Sequence, residues 1–170
     1  EIVQDEGRPL NNRASQGQYP PGSIFKIPMA VAALETKTMS PSSTVFCNGG
    51  YQFGKRLYHD WKASGHGYVD LHDALVHSCD VYFYTIGQRM GIDVMAEFGK
   101  DFGLGKATGV ELPSERAGIM PSTAWKQKAK NEQWLPGETI SAAIGQGYVT
   151  VTPLQMASLV GTVANNGVSY

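Results

Sequence analysis

The strongest limit on how this chain can fold comes from an apolar, alanine-rich run that begins at Ser23. It follows the segment Tyr-Pro-Pro-Gly at residues 19–22, which we call the approach loop or the approach to Ser23. The two prolines favour an extended backbone for the approach, which ends at a glycine. From Ser23 to about Lys37 the composition is typical of a buried helix, so we predict a helix that begins at Ser23. Pro28 lies inside this helix and would remove the bond to the carbonyl of Ile24, which predicts a kink.

The rest of the chain combines short helices with long structured loops. We expect residues 1–22 to form an extended loop and residues 41–69 to be irregular, with a short hairpin around Tyr51–Leu57. Capping residues and helix-ending glycines predict further helices. They are Leu71–His77 behind an Asp70 N-cap, Val81–Met90 before Gly91, Val94–Phe102 before Gly103, and Pro153–Ala164 behind Thr152, with Gln155 closing a capping box. The predicted fold class is therefore α-rich.

The composition excludes several classes of protein. Hydrophobic residues make up 42% and charged residues 17% of the chain, which supports a packed core and excludes disorder. A net charge of -1 without a basic patch gives no basis for nucleic-acid binding. No apolar run approaches the roughly 20 residues that a membrane-spanning helix needs. The chain opens on Glu1 and closes on Tyr170, and we expect both ends to be cuts from a longer protein.

Ser23 and Lys26 form a Ser-x-x-Lys motif at the start of the first predicted helix. Residues three positions apart share a helix face, so the lysine amine can reach the serine hydroxyl. A hydroxyl becomes a strong nucleophile when a neighbouring base takes its proton, and lysine can serve as that base. The motif alone is also common on solvent-facing helices. The Pro-Pro-Gly approach, however, places Ser23 at a helix start, where free N–H groups favour developing negative charge.

A second candidate element, Ser78-Cys79-Asp80, lies between two predicted helices. Taken alone, a serine and an aspartate at a helix end most simply serve as caps. Together with Ser-x-x-Lys, however, the element resembles the Ser-x-Asn motif of penicillin-binding proteins and class A β-lactamases. Asp80 stands where asparagine is more usual.

Several longer blocks extend this resemblance over most of the chain. They lie at residues 12–23, 102–105, 108–113, 144–148 and 152–156. With these blocks the chain resembles class B penicillin-binding proteins from about residue 11 to residue 167. The Ser-x-Asp element and the neighbourhood of residues 56–62 are more similar to penicillin-binding protein 2, the transpeptidase of cell elongation, than to its division paralogue.

The resemblance implies a peptidoglycan D,D-transpeptidase that cross-links stem peptides and is acylated by β-lactams. Ser23 is implied as the nucleophile, Lys26 as its base and Ser78 as the proton relay to the leaving nitrogen. Asp80 is implied to orient Ser78 or Lys26, or to bind substrate amide groups. The resemblance further implies a membrane-anchored full-length protein at the periplasmic face of the bacterial inner membrane, with membrane cell-elongation proteins as partners.

The third motif of the family, Lys-Thr-Gly or Lys-Ser-Gly, does not occur in the chain. In the family this motif lies on a strand that supplies the second oxyanion donor. We therefore expect residues 1–170 to be a partial transpeptidase domain, the helical lobe of the α/β, serine β-lactamase-like fold. Most of the central sheet, the N-terminal anchor and pedestal, and the Lys-Thr-Gly segment would be absent, and such a fragment can be inactive by itself.

The two cysteines belong to a separate candidate set of metal ligands, Cys47, Asp60, His66 and Cys79. Zinc binds cysteine, histidine and carboxylate ligands, usually four in a structural site. Some relatives of penicillin-binding protein 2 are similar, with an Asp/His/Cys zinc site near the active site, and Cys47 would stand where they use an acidic ligand. A structural zinc that the chemistry does not require is one hypothesis. Two free buried thiols and a disulfide are the alternatives.

The remaining aromatic and charged residues receive simpler interpretations. His59 could replace His66 or Asp60 as a ligand, whereas we expect His72 and His77 on helix surfaces. Trp61, Trp125 and Trp134 are interpreted as packing residues, and Tyr148 is left outside the site. Residues 122–133, which include Lys126, are interpreted as a solvated face.

Two other functions stay open at this point. One is a β-lactam hydrolase or sensor of the same fold, which the lack of an obvious deacylation base disfavours. The other is a non-catalytic, zinc-stabilised interaction module, which the missing third motif favours. The rate of deacylation would separate a transpeptidase from a hydrolase.

Overall fold

The structure, a computed structural model, describes residues 10–169, and its regular elements are mainly helices. In chain order these are α1 (Arg13–Gln16), α2 (Lys26–Glu35), α3 (Leu71–Val76), α4 (Asp80–Met90), α5 (Ile92–Asp101), α6 (Thr123–Lys130), α7 (Pro136–Ala143) and α8 (Pro153–Ala164). A 3-10 turn, Gly22–Phe25, leads directly into α2. Within the described residues, no helix has both the length and the apolar character needed to span a membrane.

Four short strands between α2 and α3 form two separate antiparallel pairs. Strand β1 (Val45–Cys47) pairs with β4 (Gly67–Val69), and β2 (Gly50–Phe53) pairs with β3 (Arg56–His59). The hairpin predicted around Tyr51–Leu57 is confirmed, but the segment 41–69 is more regular than predicted because β1 and β4 close around it. Residues 10–169 contain no larger sheet, in agreement with a helical lobe that lacks most of its central sheet.

Helix α4 forms the centre of the core. Its side chains Tyr82, Phe83 and Ile86 are fully buried, and the helix packs against α2, α5 and α7. At Gly87 helix α7 comes so near that a Cβ atom would lie 2.4 Å from the Cβ of Ala143. The lack of a side chain at Gly87 therefore allows the close packing that fixes α7, and the turn after it, against the helix that begins at Asp80.

The first predicted helix is confirmed in extent but is divided into two parts. Residues Gly22–Phe25 are 3-10 in form, and the α-helix begins only at Lys26. Pro28 therefore lies in the first turn of α2, where backbone N–H groups have no partner within the helix in any case. The change from 3-10 to α geometry occurs at Lys26, two residues before the proline at which a kink was predicted.

Capping residues located the other predicted helices well. The Asp70 carboxylate accepts a bond from the Asp73 N–H at 2.9 Å. Thr152 and Gln155 form the predicted capping box, with bonds of 3.1 and 2.8 Å. The predicted bounds of α3, α4, α5 and α8 agree with the structure to within two residues.

Helices α1, α6 and α7 were not predicted. Helix α1 has only 4 residues and lies inside the region predicted as an extended loop, whose residues 1–9 are outside the described part. Helix α6 is polar along most of its length and begins at a single capping side chain, Ser122. Short or polar helices of this kind carry little periodic signal, because tertiary packing stabilises them more than local preference does.

Candidate functional site

The Ser-x-x-Lys motif places its two side chains in different environments. Ser23 lies in the 3-10 turn with an exposed side chain, whereas Lys26 begins α2 and is only 1% exposed. Gly22 has a φ of +57°, a left-handed conformation that glycine adopts without steric cost. This residue turns the chain from the proline-rich approach into the helix, so that the hydroxyl faces solvent above a buried amine.

The buried amine of Lys26 connects the two sequence motifs. It donates hydrogen bonds to the Ser78 carbonyl at 2.8 Å, to the Ser78 Oγ at 3.0 Å and to the Asp80 Oδ1 at 2.6 Å. The Ser78 hydroxyl in turn donates to the Ser23 Oγ at 2.8 Å. The structure thus brings together all four residues predicted as catalytic, in one continuous chain of polar contacts.

Ser78 has an unusual backbone conformation, with a φ of +52°. It follows α3, and bonds from the Ser78 N–H to the Leu75 carbonyl and from the Cys79 N–H to the Ala74 carbonyl close the end of that helix. Glycine usually occupies such a left-handed position, and a residue with a side chain is strained there. In this conformation, both the carbonyl and the hydroxyl of Ser78 accept hydrogen bonds from the amine of Lys26.

The segment of residues 145–151 contacts the approach to Ser23 at two points. The backbones of Tyr19 and Val151 exchange two hydrogen bonds, each of 2.9 Å. The Gly22 N–H donates to the Gly145 carbonyl at 3.1 Å. A Cβ atom at Gly145 would lie 2.5 Å from the Gly22 carbonyl oxygen, so the two backbones are in direct contact. The position of Ser23 thus depends on this segment.

An apolar groove of about 550 Å³ opens beside the nucleophile. The aliphatic residues that line it, next to the catalytic side chains, are Ile24, Ile27, Leu75 and Val76. None of these residues was selected from the sequence. The sequence signal that could have identified them is their closeness along the chain to Ser23 and Ser78. Both motifs lie at helix ends, so residues next to them in sequence also lie near the site. The groove gives the hydroxyl of Ser23 an apolar neighbour on one side.

The four predicted metal ligands come together directly behind the second motif. Their ligand atoms all lie within 4.8 Å of one another. Both thiols are 3.5 Å from the Asp60 Oδ2, and the His66 Nδ1 is 3.5 Å from the Cys47 Sγ. A tetrahedral zinc with bonds of about 2.0–2.3 Å separates its ligands by roughly 3.3–3.8 Å. The set therefore fits zinc in the number, type and spacing of its donors.

Asp60 is the most constrained member of this cluster. Burial opposes its ionisation, but its carboxylate accepts bonds from the N–H groups of Lys62 and Val81 and from the Cys79 thiol. These bonds lower the pKa of Asp60 below its usual range. Burial also raises the pKa of the Cys79 thiol. A divalent cation would favour the thiolate, because metal binding displaces the proton from a ligating thiol.

The structure also decides between some of the alternatives for this region. Within the described residues Cys47 and Cys79 are free thiols, so the disulfide is not formed. His59, considered as a replacement ligand, is exposed and is not part of the cluster. His77 is exposed as predicted, but its ring also stacks on the ring of His66, with 5.9 Å between the two ring centres. His72 is exposed, and its Nδ1 lies 3.4 Å from the Oδ1 of its neighbour Asp73.

Residues 122–133 are not simply a solvated face, because Lys126 is buried. Its side chain is 2% exposed, and its amine forms an ion pair with Glu138 at 2.6 Å. Charged side chains are rarely buried without such a partner. The solvated-face interpretation was therefore wrong at this position, while Lys128 and Lys130 are exposed.

Comparison with known proteins gives one family for nearly the whole chain. A family described as "Penicillin binding protein transpeptidase domain" matches residues 2–170. The chain is 44% identical over 168 residues to the peptidoglycan D,D-transpeptidase MrdA of Haemophilus influenzae, covering 98% of this chain and 26% of that protein. It is 43% identical over 162 residues to MrdA of Acinetobacter baumannii, covering 94% and 24%. The chain thus spans about a quarter of the length of these curated relatives.

Comparison with solved structures identifies the same family. The crystal structure of PBP2 from Pseudomonas aeruginosa in complex with WCK 5153 superposes with a TM-score of 0.93 at 39% identity, covering 96% of this chain and 38% of that chain. The complex between PBP2 and MreC from Helicobacter pylori superposes with a TM-score of 0.93 at 37% identity, covering 97% and 31%. The helices and the two small sheets are therefore those of part of this domain.

Proposed function

Because this chain belongs to the penicillin-binding protein transpeptidase family, we propose that it carries the nucleophile of a peptidoglycan D,D-transpeptidase, with Ser23 as the acylated residue. One observation supports this assignment more than any other. Ser23, Ser78, Lys26 and Asp80 form a continuous polar chain that runs from an exposed hydroxyl to a buried amine. A nucleophile, a base and a group that orients the base, in hydrogen-bond contact, are what acyl transfer from a peptide requires.

In the first step, the Oγ of Ser23 attacks the carbonyl carbon of the penultimate D-Ala of a stem peptide. The hydroxyl proton moves toward Lys26, and the contact of the Ser78 hydroxyl with both groups gives it a path. The C–N bond then breaks, and the leaving nitrogen takes a proton through Ser78, so that D-Ala departs as a neutral amine. An ester between Ser23 and the stem peptide remains.

In the second step, an amine of a neighbouring stem peptide attacks this ester. Its proton passes to the same relay, the C–O bond to Ser23 breaks, and the serine recovers its hydrogen. A β-lactam follows only the first step, because its ring nitrogen stays attached to the acyl group. The backbone N–H of Ser23, near the start of its 3-10 turn, would supply one donor to the oxyanion.

The mass of the protein after exposure to a penicillin tests the proposal. The full-length polypeptide that carries this sequence, and the 170-residue chain itself, would each be measured before and after incubation. We expect an increase equal to one intact penicillin in the full-length polypeptide, located on the peptide that contains Ser23, and none in the Ser23→Ala variant. Acylation that survives Ser23→Ala would overturn the assignment. Release of the acyl group within seconds would indicate the hydrolase instead.

We further propose that Cys47, Asp60, His66 and Cys79 bind a structural zinc ion. Zinc would contribute charge neutralisation for the thiolates and a rigid link between the strand segment and α4, without a part in acyl transfer. Cys79 lies between Ser78 and Asp80, so its ligation would fix the backbone of the second motif. The Nε2 of His66 is buried and has no hydrogen-bond partner among residues 10–169, which is consistent with a ring oriented by its Nδ1 contacts.

The second candidate function, a non-catalytic, zinc-stabilised interaction module, has less support than the transpeptidase. The cluster alone would fit either function, but the contact of the Ser78 hydroxyl with Ser23 has no use in a purely structural module. A peptidoglycan substrate would be met at the periplasmic face of the inner membrane, where we propose that the full-length polypeptide acts. The complex of Helicobacter pylori PBP2 with MreC suggests a cell-elongation protein of that kind as its partner. Co-purification of the full-length polypeptide with its own MreC would test this partner.

A further inference from the structure

A buried lysine outside the active site is surrounded by aromatic rings and carboxylates. The amine of Lys126 contacts both oxygens of Glu138, at 2.6 and 2.9 Å. The same amine lies 5.9 Å from the ring centre of Trp134 and 5.8 Å from that of Tyr148. The rings of Tyr148 and Trp125 are 5.3 Å apart. We call these five residues the lysine cage.

Within the cage, the charge of Lys126 is paired with the carboxylate of Glu138. The hydrogen bonds from Lys126 to Glu138 raise the pKa of that amine, so it stays charged at neutral pH. Glu138 also accepts a bond from the Leu135 N–H at 2.8 Å and so fixes the start of α7. A cation in contact with the faces of two rings favours one arrangement of those rings, because the attraction falls off when either ring moves away.

One member of the cage, Tyr148, belongs to the segment that contacts the approach to Ser23. Toward the N-terminus from Tyr148, the Gly145 carbonyl accepts the bond from the Gly22 N–H. Toward the C-terminus, Val151 exchanges its two backbone bonds with Tyr19. Tyr148 thus lies between the two points at which residues 145–151 contact the approach loop. Its ring is the part of this segment that packs into the cage.

We propose that Tyr148 is a positioning residue for Ser23, which acts by fixing residues 145–151 to the lysine cage so that these residues in turn fix the approach loop. Tyr148 touches no reacting atom in this scheme. Its effect passes through the Gly145–Gly22 and Val151–Tyr19 backbone bonds. The inference rests on the proposed function, since it assigns a support to the same nucleophile.

Three variants of the full-length polypeptide test this role. Tyr148→Leu removes the ring from the cage, and Tyr148→Phe keeps the ring but removes the hydroxyl. Phe98→Leu is the matched control, because it removes a half-buried ring that packs on the core from α5. For each variant, the first-order acylation constant at saturating penicillin and the apparent penicillin dissociation constant are measured separately. Hydrogen exchange at the Gly22 and Val151 amides is followed by mass spectrometry.

We expect Tyr148→Leu to lower the acylation constant by about 10- to 100-fold, because small misplacements of a nucleophile reduce rates on this scale. The dissociation constant should change little. The amides of Gly22 and Val151 should exchange faster. Tyr148→Phe should stay close to the wild type in all three measurements, and Phe98→Leu should lower the melting temperature without changing the acylation constant.

The possible failures are distinguishable. A wild-type protein that penicillin does not acylate would overturn the proposed function, and this inference with it. An acylated wild type whose Tyr148→Leu variant acylates at the same rate would overturn only the positioning role. Equal slowing of acylation in Tyr148→Leu and Phe98→Leu would also overturn it, because general destabilisation would then explain the effect.

Discussion

The amine of Lys26 lies 2.6 Å from the Oδ1 of Asp80, closer than to either oxygen of Ser78. Its three contacts match the three hydrogen-bond donors that a lysine side chain offers. Hydrogen bonds to a charged group are shorter and stronger than those between neutral groups. The contact with Asp80 therefore holds the amine beside the Ser78 hydroxyl, which in turn contacts Ser23. This geometry supports the proposal that Asp80 orients the base.

The variant Asp80→Asn should slow the acylation of Ser23 by about 10-fold or more, because small misplacements of a catalytic group reduce rates on this scale. Asparagine keeps an oxygen that can accept the bond from Lys26 but removes the negative charge, so the contact that holds the amine becomes weaker. The measurement is the rate of labelling by a fluorescent penicillin at one fixed pH. Asp101→Asn, which removes an exposed carboxylate at the end of α5, should leave the rate unchanged.

An unchanged labelling rate in Asp80→Asn would contradict the proposal that the carboxylate of Asp80 orients Lys26. Equal slowing in Asp80→Asn and Asp101→Asn would also contradict it, because the loss of any carboxylate would then explain the effect.

Substitution can separate the proposed proton relay through the Ser78 hydroxyl from the strain of the Ser78 backbone. Ser78→Ala and Ser78→Gly both remove the hydroxyl that contacts Ser23, and both should lower the acylation rate by about 10²–10⁴-fold, the usual effect of losing a proton-transfer group. Ser78→Gly should also raise the free energy of unfolding relative to Ser78→Ala by roughly 1 kcal/mol, because glycine adopts a positive φ without strain. Denaturant unfolding and penicillin labelling measure the two effects. Wild-type acylation by Ser78→Gly would exclude the relay.

Removal of a metal ligand should lower both the zinc content and the thermal stability. Cys79→Ala should reduce the zinc-to-protein ratio to near zero and lower the melting temperature, because ligand loss removes binding energy that stabilises the fold. Cys47→Asp keeps a ligand of a type that zinc accepts and should retain the metal. His72→Ala is the control, since His72 lies in a second, partly exposed group with Asp70 and Asp73. Metal analysis of protein purified without a histidine tag gives the ratio, and zinc retained by Cys79→Ala would contradict the site.

The elements best predicted from sequence are those with local chemical signals. Asp70 and Thr152 mark helix starts because their side chains accept backbone bonds from residues three positions further on. Ser23 and Lys26 lie one turn apart, as their spacing together with the Pro-Pro-Gly context predicted, and the Ser78 hydroxyl connects their side chains.

Contacts between distant segments were not predictable from local patterns. The burial of Lys126 depends on Glu138, which belongs to another helix, and on the ring of Tyr148 beyond it. The contact of Gly145 with Gly22 likewise arises from packing of the whole lobe. Such tertiary contacts override the polar character of a segment such as α6, whose sequence by itself is typical of a surface.

Two glycines of this chain should respond to alanine in opposite ways. At Gly145, with a φ of +70°, a Cβ would lie 2.5 Å from the Gly22 carbonyl oxygen, so Gly145→Ala should lower the free energy of unfolding by about 2 kcal/mol or more and slow acylation of Ser23. At Gly161, inside α8, a Cβ would meet no atom of the described part of the chain within 4 Å, so Gly161→Ala should raise the free energy of unfolding by about 0.5–1 kcal/mol and leave acylation unchanged. Denaturant unfolding and penicillin labelling of both variants give the comparison. Because both changes add the same methyl group, equal acylation by the two variants would show that the Gly145–Gly22 contact does not position the nucleophile.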